Sequence, residues 1–364
     1  MRILHYYPKD DNMIAGYVNM LVNNMGLEAE NVTTTEETEA KEKLQAIQYD
    51  ILHIHGCWRN SSSRILKIAN RQGTRLVHSP YGQLEPWILE ENYWKEKLPK
   101  RLLYQRHVVE SAYAVIIQGR MEEECMRKLG WNHRQEIIRN PMITHSITPV
   151  EMARKTYAVY RKVLDSNTLE RMSENTQQML RHFIKAGITG DSRWITEELC
   201  TISDQEQWRC LLCYAHHEQI EGIVKRGIRI LNYQAPDIDT SKIAWYKPDH
   251  YEPAKSIQDA IGLQFTSENE RLLATFKHLR KLILRKRLTI SHLCELDREL
   301  REHDVEEDHL CETLKEERLF KMAGRIMQLM GELTGLNEGL MPLPPLNDRI
   351  TKQMKRQIHH HLKL

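Results

Sequence analysis

The side chains of this sequence that are best suited to proton transfer at neutral pH are histidines at the ends of β-rich runs. His53-Ile54-His55-Gly56-Cys57-Trp58 places two imidazoles two positions apart, and therefore on one face of a strand. His55 ends the run, so we expect it at a ligand-facing rim as a base, with His53 deeper as a core histidine. Trp58 either stacks against a sugar or a base, or closes the core as a loop aromatic.

A second candidate segment follows the next β-rich run. Residues 78–87 read His-Ser-Pro-Tyr-Gly-Gln-Leu-Glu-Pro-Trp, and the two prolines stiffen a long loop after the strand. Such loops at strand ends commonly carry binding residues. His78 is a second candidate base, and Tyr81 and Gly82 are candidate rim residues.

A third candidate is the acidic start of a helix at Met121-Glu122-Glu123-Glu124. Acidic residues in a first helical turn interact favourably with the helix dipole, which accounts for at least two of the three without any functional role. Glu122 is retained as a candidate substrate-binding residue.

Alternating strand-like and helix-like patterns surround these residues. β-rich runs fall at 2–7, 50–55, 75–78, 112–117 and 136–139, and helical spacing falls near 13–25, 62–71, 97–110 and 121–129. This alternation predicts a parallel sheet covered on both faces, with ligands beyond the carboxyl ends of its strands. The predicted fold class is therefore α/β, with a Rossmann-like sheet over residues 1–148.

After Pro149 the pattern changes to helical spacing at 150–164, 169–186, 204–225, 267–287 and 305–333. Ile228 to Leu231 is the one candidate strand. We therefore expect residues 149–364 to be mostly α-helical, with a division near 232–256.

The composition excludes several classes of protein. The 364 residues carry 52 Lys and Arg against 50 Asp and Glu, a balance that argues against a general nucleic-acid binder. No apolar run is long enough for a transmembrane helix, and seven scattered cysteines without a signal peptide favour free thiols. We expect a cytoplasmic protein.

Several segments of the first 145 residues resemble the acceptor-binding N-terminal domain of family 4 glycosyltransferases, which have the two-domain GT-B fold. Residues 50–58 are similar to that family's D-hydrophobic-hydrophobic-H-x-H-G-x-W strand, and residues 79–87 resemble its SPHGMLxPW loop. Residues 112–130 resemble its ADxxxxxS…E…LG stretch, and residues 137–141 its V-I-P-N-G end.

The resemblance implies transfer of a sugar from a nucleotide sugar to a glycan or lipid-linked acceptor in polysaccharide biosynthesis. It implies His55, His78 and Tyr81 as catalytic residues. It implies a substrate-binding set of Gly16, Gly56, Trp58, Gly82 and Glu122. No metal and no cofactor are implied, because the nucleotide sugar is a co-substrate.

This chain departs from the family pattern in two respects. Tyr81 stands where the family loop has histidine, and no glycine-rich turn with paired glutamates follows residue 150. The donor site of the family is therefore not visible, and a protein partner could supply it. The alternative function is a non-catalytic relative that binds glycans or acts as a scaffold.

The C-terminal half has two candidates of its own. Cys210, Cys213 and His217 would share a helix face; we interpret the cysteines as buried small side chains, with a zinc site including Cys200 as the alternative. Lys277 to Arg287 holds six basic residues among leucines and isoleucine. It either contacts a membrane surface peripherally, at the inner face, or forms the basic outer face of a packed helix that pairs with the acidic stretch 302–317.

Overall fold

The computed structural model describes residues 1–85, 87–88, 93–194, 201–202, 204–262, 264–303 and 305–364. The chain forms two compact units. The first, here called the α/β unit, comprises Met1–Ser166 with Ala244–Tyr246. The second, the helical unit, comprises Asn167–Ile243 with Lys247–Leu364.

The α/β unit is built on a parallel sheet, as the sequence predicts. Within the described residues its strands are β1 Arg2–Tyr6, β2 Glu30–Thr34, β3 Ile51–His55, β4 Arg75–Ser79, β5 Ala114–Ile117 and β6 Gln135–Ile137. Their spatial order is β2-β1-β3-β4-β5-β6, with every neighbouring pair parallel. From β1 the chain adds β2 on one side of the sheet and β3 to β6 on the other, so the strand order reverses between β1 and β3. In open sheets of this kind, that point is where ligands bind beyond the carboxyl ends of the strands.

Helices cover the sheet, and all but the one at Glu37–Ala46 fall where the sequence has helical spacing. They are α1 Asn12–Asn24, α2 Glu37–Ala46, α3 Asn60–Arg71, α4 made of Tyr93–Lys97, Leu98–Lys100, Arg101–Gln105 and Arg106–Glu110, α5 Arg120–Leu129 and α6 Pro149–Leu164. The first and third parts of α4 have π-helical hydrogen bonding.

Helix α6 belongs to the α/β unit, so this unit extends beyond the expected boundary at residue 148. Tyr160 and Val163 of α6 are fully buried. The Arg75 guanidinium on β4 donates hydrogen bonds to the carbonyl oxygens of Val163 (2.6 Å) and Ser166 (2.5 Å). These contacts attach α6 to the sheet.

The two faces of the sheet differ in polarity. Because side chains alternate along a strand, Leu4, Leu52 and Leu76 share one face with the apolar core, together with Ile54. The opposite face carries His5 and His53 side by side on β1 and β3. One face of the sheet therefore packs on the apolar core, and the other carries the His5 and His53 imidazoles beside apolar side chains such as Val77.

The helical unit is confirmed as predominantly α-helical. Its helices within the described residues are α7 Glu174–Thr189, α8 Gln205–His217, α9 Glu221–Ile230, α10 Ile257–Ile261, α11 Glu268–Leu284, α12 Ile290–Glu302, α13 Glu307–Glu316, α14 Phe320–Leu333 and α15 Arg349–His359. Short 3₁₀ turns lie at Thr168–Arg171, Ser192–Trp194, Thr240–Lys242 and Glu338–Leu340.

Two differences from the sequence-based expectation concern strands. The predicted strand at 228–231 is wrong, because these residues lie at the end of α9, where Val224, Gly227 and Ile228 are buried at helical spacing. Strand β2 has no counterpart among the predicted runs, since its sequence Glu-Asn-Val-Thr-Thr is polar and it lies at the edge of the sheet. Among the described residues, no helix combines the length and apolarity required to cross a membrane.

Candidate functional site

The first candidate residues lie where β3 ends. His55 is the last residue of the strand and is almost completely buried, and Gly56 follows with a positive φ of 83°. The positive φ favours glycine, and a Cβ here would lie 3.1 Å from the end of the Ile14 side chain, which would have to shift. The chain thus leaves β3 by a tight turn at the sheet edge.

Trp58, two residues later, has an unusual backbone conformation. Its φ is 67°, in the left-handed region that a bulky residue rarely adopts. Its backbone N–H donates to Gln105 Oε1 (2.6 Å), its carbonyl accepts from the Tyr104 hydroxyl (2.8 Å), and its indole N–H donates to the Gln83 carbonyl (3.0 Å). Three hydrogen bonds therefore hold a half-buried tryptophan in a strained position.

The loop after β4 has the same character. Tyr81 has a φ of 54° and is followed by Gly82 with a φ of 74°. Non-glycine residues held in this region cost of the order of 1–3 kcal/mol each and concentrate at functional sites. The ends of β3 and β4 therefore share a feature. Trp58 lies two residues after Gly56, Tyr81 lies directly before Gly82, and all four residues have a positive φ.

Hydrogen bonds join the two loops into one structure. The Tyr81 hydroxyl lies 2.7 Å from His55 Nδ1, and the Cys57 backbone N–H donates to Gln83 Oε1 (2.6 Å). The predicted convergence of these loops on the carboxyl edge of the sheet is therefore what the structure has. We call Gly56, Trp58, Tyr81 and Gly82 the aromatic rim.

Glu122 lies beside the aromatic rim, in the first turn of α5, but its carboxylate is already engaged. It accepts hydrogen bonds from the backbone N–H groups of Gly82 (2.6 Å) and Gln118 (2.8 Å). It is 1% exposed, and burial raises its pKa. This geometry makes Glu122 an anchor for the Tyr81 loop, a role different from the expected contact with substrate.

The two remaining expected site residues border the aromatic rim from behind: His78 contacts Gly56, and Gly16 precedes Tyr17, whose ring centroid is 5.1 Å from that of Tyr81. His78 pairs with Ile54 in the β3–β4 register and so faces away from His55, on the other side of the sheet. Its Nε2 lies 3.1 Å from the Gly56 carbonyl, and burial lowers its pKa to about 4. Gly16 lies inside α1, where a Cβ would meet the Met142 side chain at 3.0 Å.

The structure adds residues that sequence reasoning missed. His5 on β1 lies beside His53, and its Nδ1 is 3.1 Å from His55 Nε2. His53 is hydrogen-bonded to the Tyr160 hydroxyl (2.5 Å) and the Ser79 hydroxyl (2.7 Å), and its ring centroid is 3.8 Å from that of His55. We call His5, His53 and His55 the histidine cluster.

The only signal for His5 in the sequence was its place in the first β-rich run. Parallel pairing of β1 with β3 brings it to His53, and no local pattern encodes that pairing. Tyr160 is further still from the cluster in sequence.

Comparison with known proteins gave no match to a family model, a curated protein or a solved structure. The site must therefore be interpreted from its own chemistry.

Hydrogen bonding assigns the protons in the histidine cluster. Asn31 donates from Nδ2 to the Ala29 carbonyl (3.2 Å), which turns its Oδ1 toward His5 Nε2 (3.0 Å). His5 therefore carries its proton on Nε2, and its Nδ1 accepts from His55 Nε2. His55 Nδ1 in turn accepts the hydroxyl proton of Tyr81.

Burial keeps these rings uncharged at neutral pH. It lowers the pKa of His5 to about 4, against a smaller opposing effect of the hydrogen bond to Asn31. Burial likewise holds the pKa values of His53 and His55 well below the usual range, and neighbouring imidazoles lower them further. With both ring nitrogens of His55 engaged, the structure does not present it as a free base at the rim.

Two further candidate sites, the Cys210–His217 segment and the basic stretch Lys277–Arg287, lie in the helical unit. Cys210, Cys213 and His217 are buried on α8, but among the described residues the histidine cluster is the only group whose donor atoms could surround one metal ion. Cys200, the further zinc ligand considered, lies outside the described residues, as does Pro86 of the second motif.

The basic stretch Lys277–Arg287 is partly committed to contacts within the helical unit. Lys277 pairs with Glu317 (2.7 Å) and Arg287 with Glu252 (2.6 Å), while Leu279 is fully buried. Among its large apolar side chains, Leu284 is the strongly exposed one. These contacts favour the packed outer face with acidic partners.

Proposed function

We propose that the α/β unit binds a sugar-containing acceptor at the aromatic rim and serves hexosyl transfer from a nucleotide sugar to a glycan or lipid-linked acceptor. The observation that carries this proposal is the pair of strained aromatics, Trp58 and Tyr81, at two adjacent strand ends beside the reversal point of a parallel sheet. Aromatic faces suit the apolar faces of sugar rings, and neighbouring backbone and side-chain dipoles suit their hydroxyl groups.

The resemblance to the acceptor-binding domain of family 4 glycosyltransferases supports the same assignment. The motif at residues 50–58 contains β3, and the motif at residues 79–87 contains the Tyr81 loop. These two segments form the aromatic rim. Tyr81 stands at the position of the histidine in the family loop, and its hydroxyl is hydrogen-bonded to His55. Tyr81 and His55 thus support a role in positioning the acceptor more than one in removing its proton.

A second candidate function is a glycan-binding or scaffold protein without catalysis. The described residues of 167–364 form helices and no strand, whereas transfer from a nucleotide sugar requires groups that stabilise the leaving diphosphate. A partner protein that supplies those groups would reconcile the two candidates.

Calorimetric titration of the full chain with short hexose oligosaccharides, and separately with UDP-, GDP- and ADP-hexoses, tests the proposal. We expect saturable oligosaccharide binding that Trp58→Ala weakens about tenfold, or 1.4 kcal/mol. Trp94→Ala is the matched control, since Trp94 is 79% exposed on the same unit but outside the rim. Equal losses in both variants would place the site elsewhere.

The outcome with nucleotide sugars separates the two candidates. Binding of a nucleotide sugar, with release of its diphosphate when the oligosaccharide is present, supports the transferase. Oligosaccharide binding alone supports the non-catalytic function. Failure to bind either class overturns both.

Peripheral membrane contact through Lys277–Arg287, the alternative to a packed outer face with acidic partners, has a test of its own. It predicts that the chain sediments with vesicles containing an anionic lipid and not with neutral vesicles, and that added salt releases it. Replacing Arg285 and Lys286 by Gln should abolish this sedimentation, and its persistence would contradict the assignment.

A further inference from the structure

The histidine cluster has the geometry of a metal site. Its three rings come from the same face of two neighbouring strands and bring one nitrogen each to within 4.8 Å of the others. Two of these nitrogens, His5 Nδ1 and His55 Nε2, are 3.1 Å apart. Tetrahedral zinc with Zn–N bonds of about 2.0–2.1 Å separates its nitrogens by about 3.4 Å, so that small ring movements suffice. We propose that His5, His53 and His55 together bind one divalent transition-metal ion, with Zn²⁺ as the reference ion.

Oxygen atoms around the histidine cluster are placed to accept hydrogen bonds from the ring nitrogens that do not bind the metal. An imidazole that binds a metal through one nitrogen usually donates from the other to an oxygen atom. His5 has Asn31 Oδ1 in that position, and His55 has the Tyr81 hydroxyl. His53 has a hydroxyl on each nitrogen, from Tyr160 and Ser79, so one remains whichever nitrogen binds.

Binding requires a local exchange of hydrogen bonds and one proton shift. His53 gives up the hydroxyl on the nitrogen that binds the metal, and the hydrogen bond between His5 and His55 opens. His5 already has its lone pair on Nδ1, directed at the cluster, because Asn31 fixes its proton on Nε2. In His55 the proton moves from Nε2 to Nδ1 and is then donated to the Tyr81 oxygen, while the hydroxyl proton of Tyr81 turns away. No proton is lost or gained, and no bond other than the metal–nitrogen bonds is formed.

The chemistry of the donors indicates the class of metal. Three neutral imidazoles suit zinc, copper, iron and nickel, whereas magnesium and calcium prefer oxygen donors. Three histidines leave a fourth coordination position open. This inference differs from the sequence-based expectation that the chain binds no metal, and it does not depend on the proposed function.

The site would have a structural consequence at the aromatic rim. His55 bonds directly to Tyr81, and Ser79, which bonds to His53, lies two residues before Tyr81. A bound ion would fix both histidines and hence the start of the Tyr81 loop. The expected role of the ion is to hold this loop.

The experiment uses the full chain after removal of metals with a chelator. Calorimetric titration with ZnCl₂ should show one equivalent bound, and CoCl₂ should give the visible absorption of tetrahedral cobalt without the near-ultraviolet band of a thiolate ligand. X-ray absorption at the zinc edge of the wild-type protein should show nitrogen ligands and no sulfur. These wild-type measurements hold even if variants fail to fold.

Variants locate the site. His5→Gln and His53→Gln should each lower zinc affinity at least about 100-fold, and Asn31→Ala, which removes only an outer partner, about tenfold. Cys213→Ser is the control for the alternative spacing on α8 and should leave affinity unchanged. Zinc bound through sulfur, affinity lost in Cys213→Ser, or no binding of Zn²⁺ or Co²⁺ by the wild-type chain would overturn the proposal.

Discussion

In the α/β unit every imidazole of the histidine cluster has a hydrogen-bond partner, whereas in the helical unit the buried Glu218 has none at Oε2 among the described residues. The cluster is satisfied because parallel strands stack polar side chains of one face in register, next to the hydroxyl of Tyr160. Glu218 follows the last residue of α8 and is 3% exposed, and burial raises its pKa to about 8. A sheet face can complete a polar network that a helix end in this chain leaves incomplete.

The helical unit has a different source of order, which is close backbone packing. A Cβ on Gly187 of α7 would lie 2.0 Å from the Ile223 carbonyl oxygen, and one on Gly227 of α9 would lie 1.9 Å from the Phe183 carbonyl oxygen. Each helix thus has a glycine where the backbone of the other passes. The α/β unit buries a network of side-chain hydrogen bonds at the histidine cluster in addition to its apolar core, and the helical unit has this close helix crossing.

The largest effect should follow from disturbing that crossing. Gly227→Ala places a methyl group against a carbonyl oxygen that cannot move without shifting α7, and we expect a loss of about 3 kcal/mol in the free energy of unfolding. Gly222→Ala on the same helix is the control, because a Cβ there meets nothing within 4 Å. It should leave stability unchanged or raise it by up to about 1 kcal/mol.

Hydrogen–deuterium exchange localises the effect. Faster exchange in Gly227→Ala should be confined to α7, α9 and their neighbours in the helical unit. Stability equal to wild type would show that the two helices do not cross this closely.

The next largest effect should come from the buried carboxyl group of Glu218. The pKa of Glu218 in the folded chain, about 8, lies above its ordinary value of 4.5, so the folded state holds this proton over the interval where the unfolded state has lost it. This contribution to stability is complete at low pH, falls as pH rises from about 4.5 to 8, and is constant above. Between pH 6.5 and 8 the loss is about 2 kcal/mol.

Glu218→Gln removes the ionisation and should flatten the pH dependence. The measurement is the free energy of unfolding of both proteins in urea at pH 6.5 and 8, monitored by the hydrogen-exchange protection of the helical unit. If wild type and variant lose the same stability over this interval, Glu218 does not carry the pH dependence.

A smaller effect is expected in the α/β unit. Tyr160→Phe removes the hydroxyl bonded to His53 Nδ1 and leaves that buried nitrogen without a partner, at a cost of about 1.5 kcal/mol. Tyr6→Phe is the matched control, since its hydroxyl bonds to Ser61, which is only partly buried. A control loss as large as that of Tyr160→Phe would argue against a special contribution from the histidine cluster.

The two units also differ in what their sequence predicts. Strands β1, β3 and β4 are apolar and end at Pro, Gly or Ser-Pro signals, so their existence and the loops after them follow from local pattern. The rim residues Trp58 and Tyr81 were placed at one edge by the same reasoning. Strand β2 was missed because an edge strand needs little apolar surface.

The histidine cluster was not predictable as a cluster. The sequence gives His53 and His55 a common face, but His5 and Tyr160 join them only through strand pairing and the packing of α6. His78, the second candidate base, lies on the opposite face of the sheet from His55, because the register pairs it with Ile54. Register and helix packing are long-range properties, and a single sequence read locally does not contain them.

The smallest effect concerns the surface of the helical unit. Lys277 and Glu317 form an ion pair of 2.7 Å, with both side chains 45% exposed, so solvent screens most of their attraction. Lys277→Gln should therefore change the free energy of unfolding by less than about 0.5 kcal/mol, and raising the salt concentration should reduce even that difference. Urea unfolding in low and high salt measures it, with Glu317→Gln expected to behave alike. A loss above about 1 kcal/mol would mean that the basic stretch orders α11 against α13, and the contrast between a hydrogen-bonded α/β unit and a closely packed helical unit would then have to include surface charge.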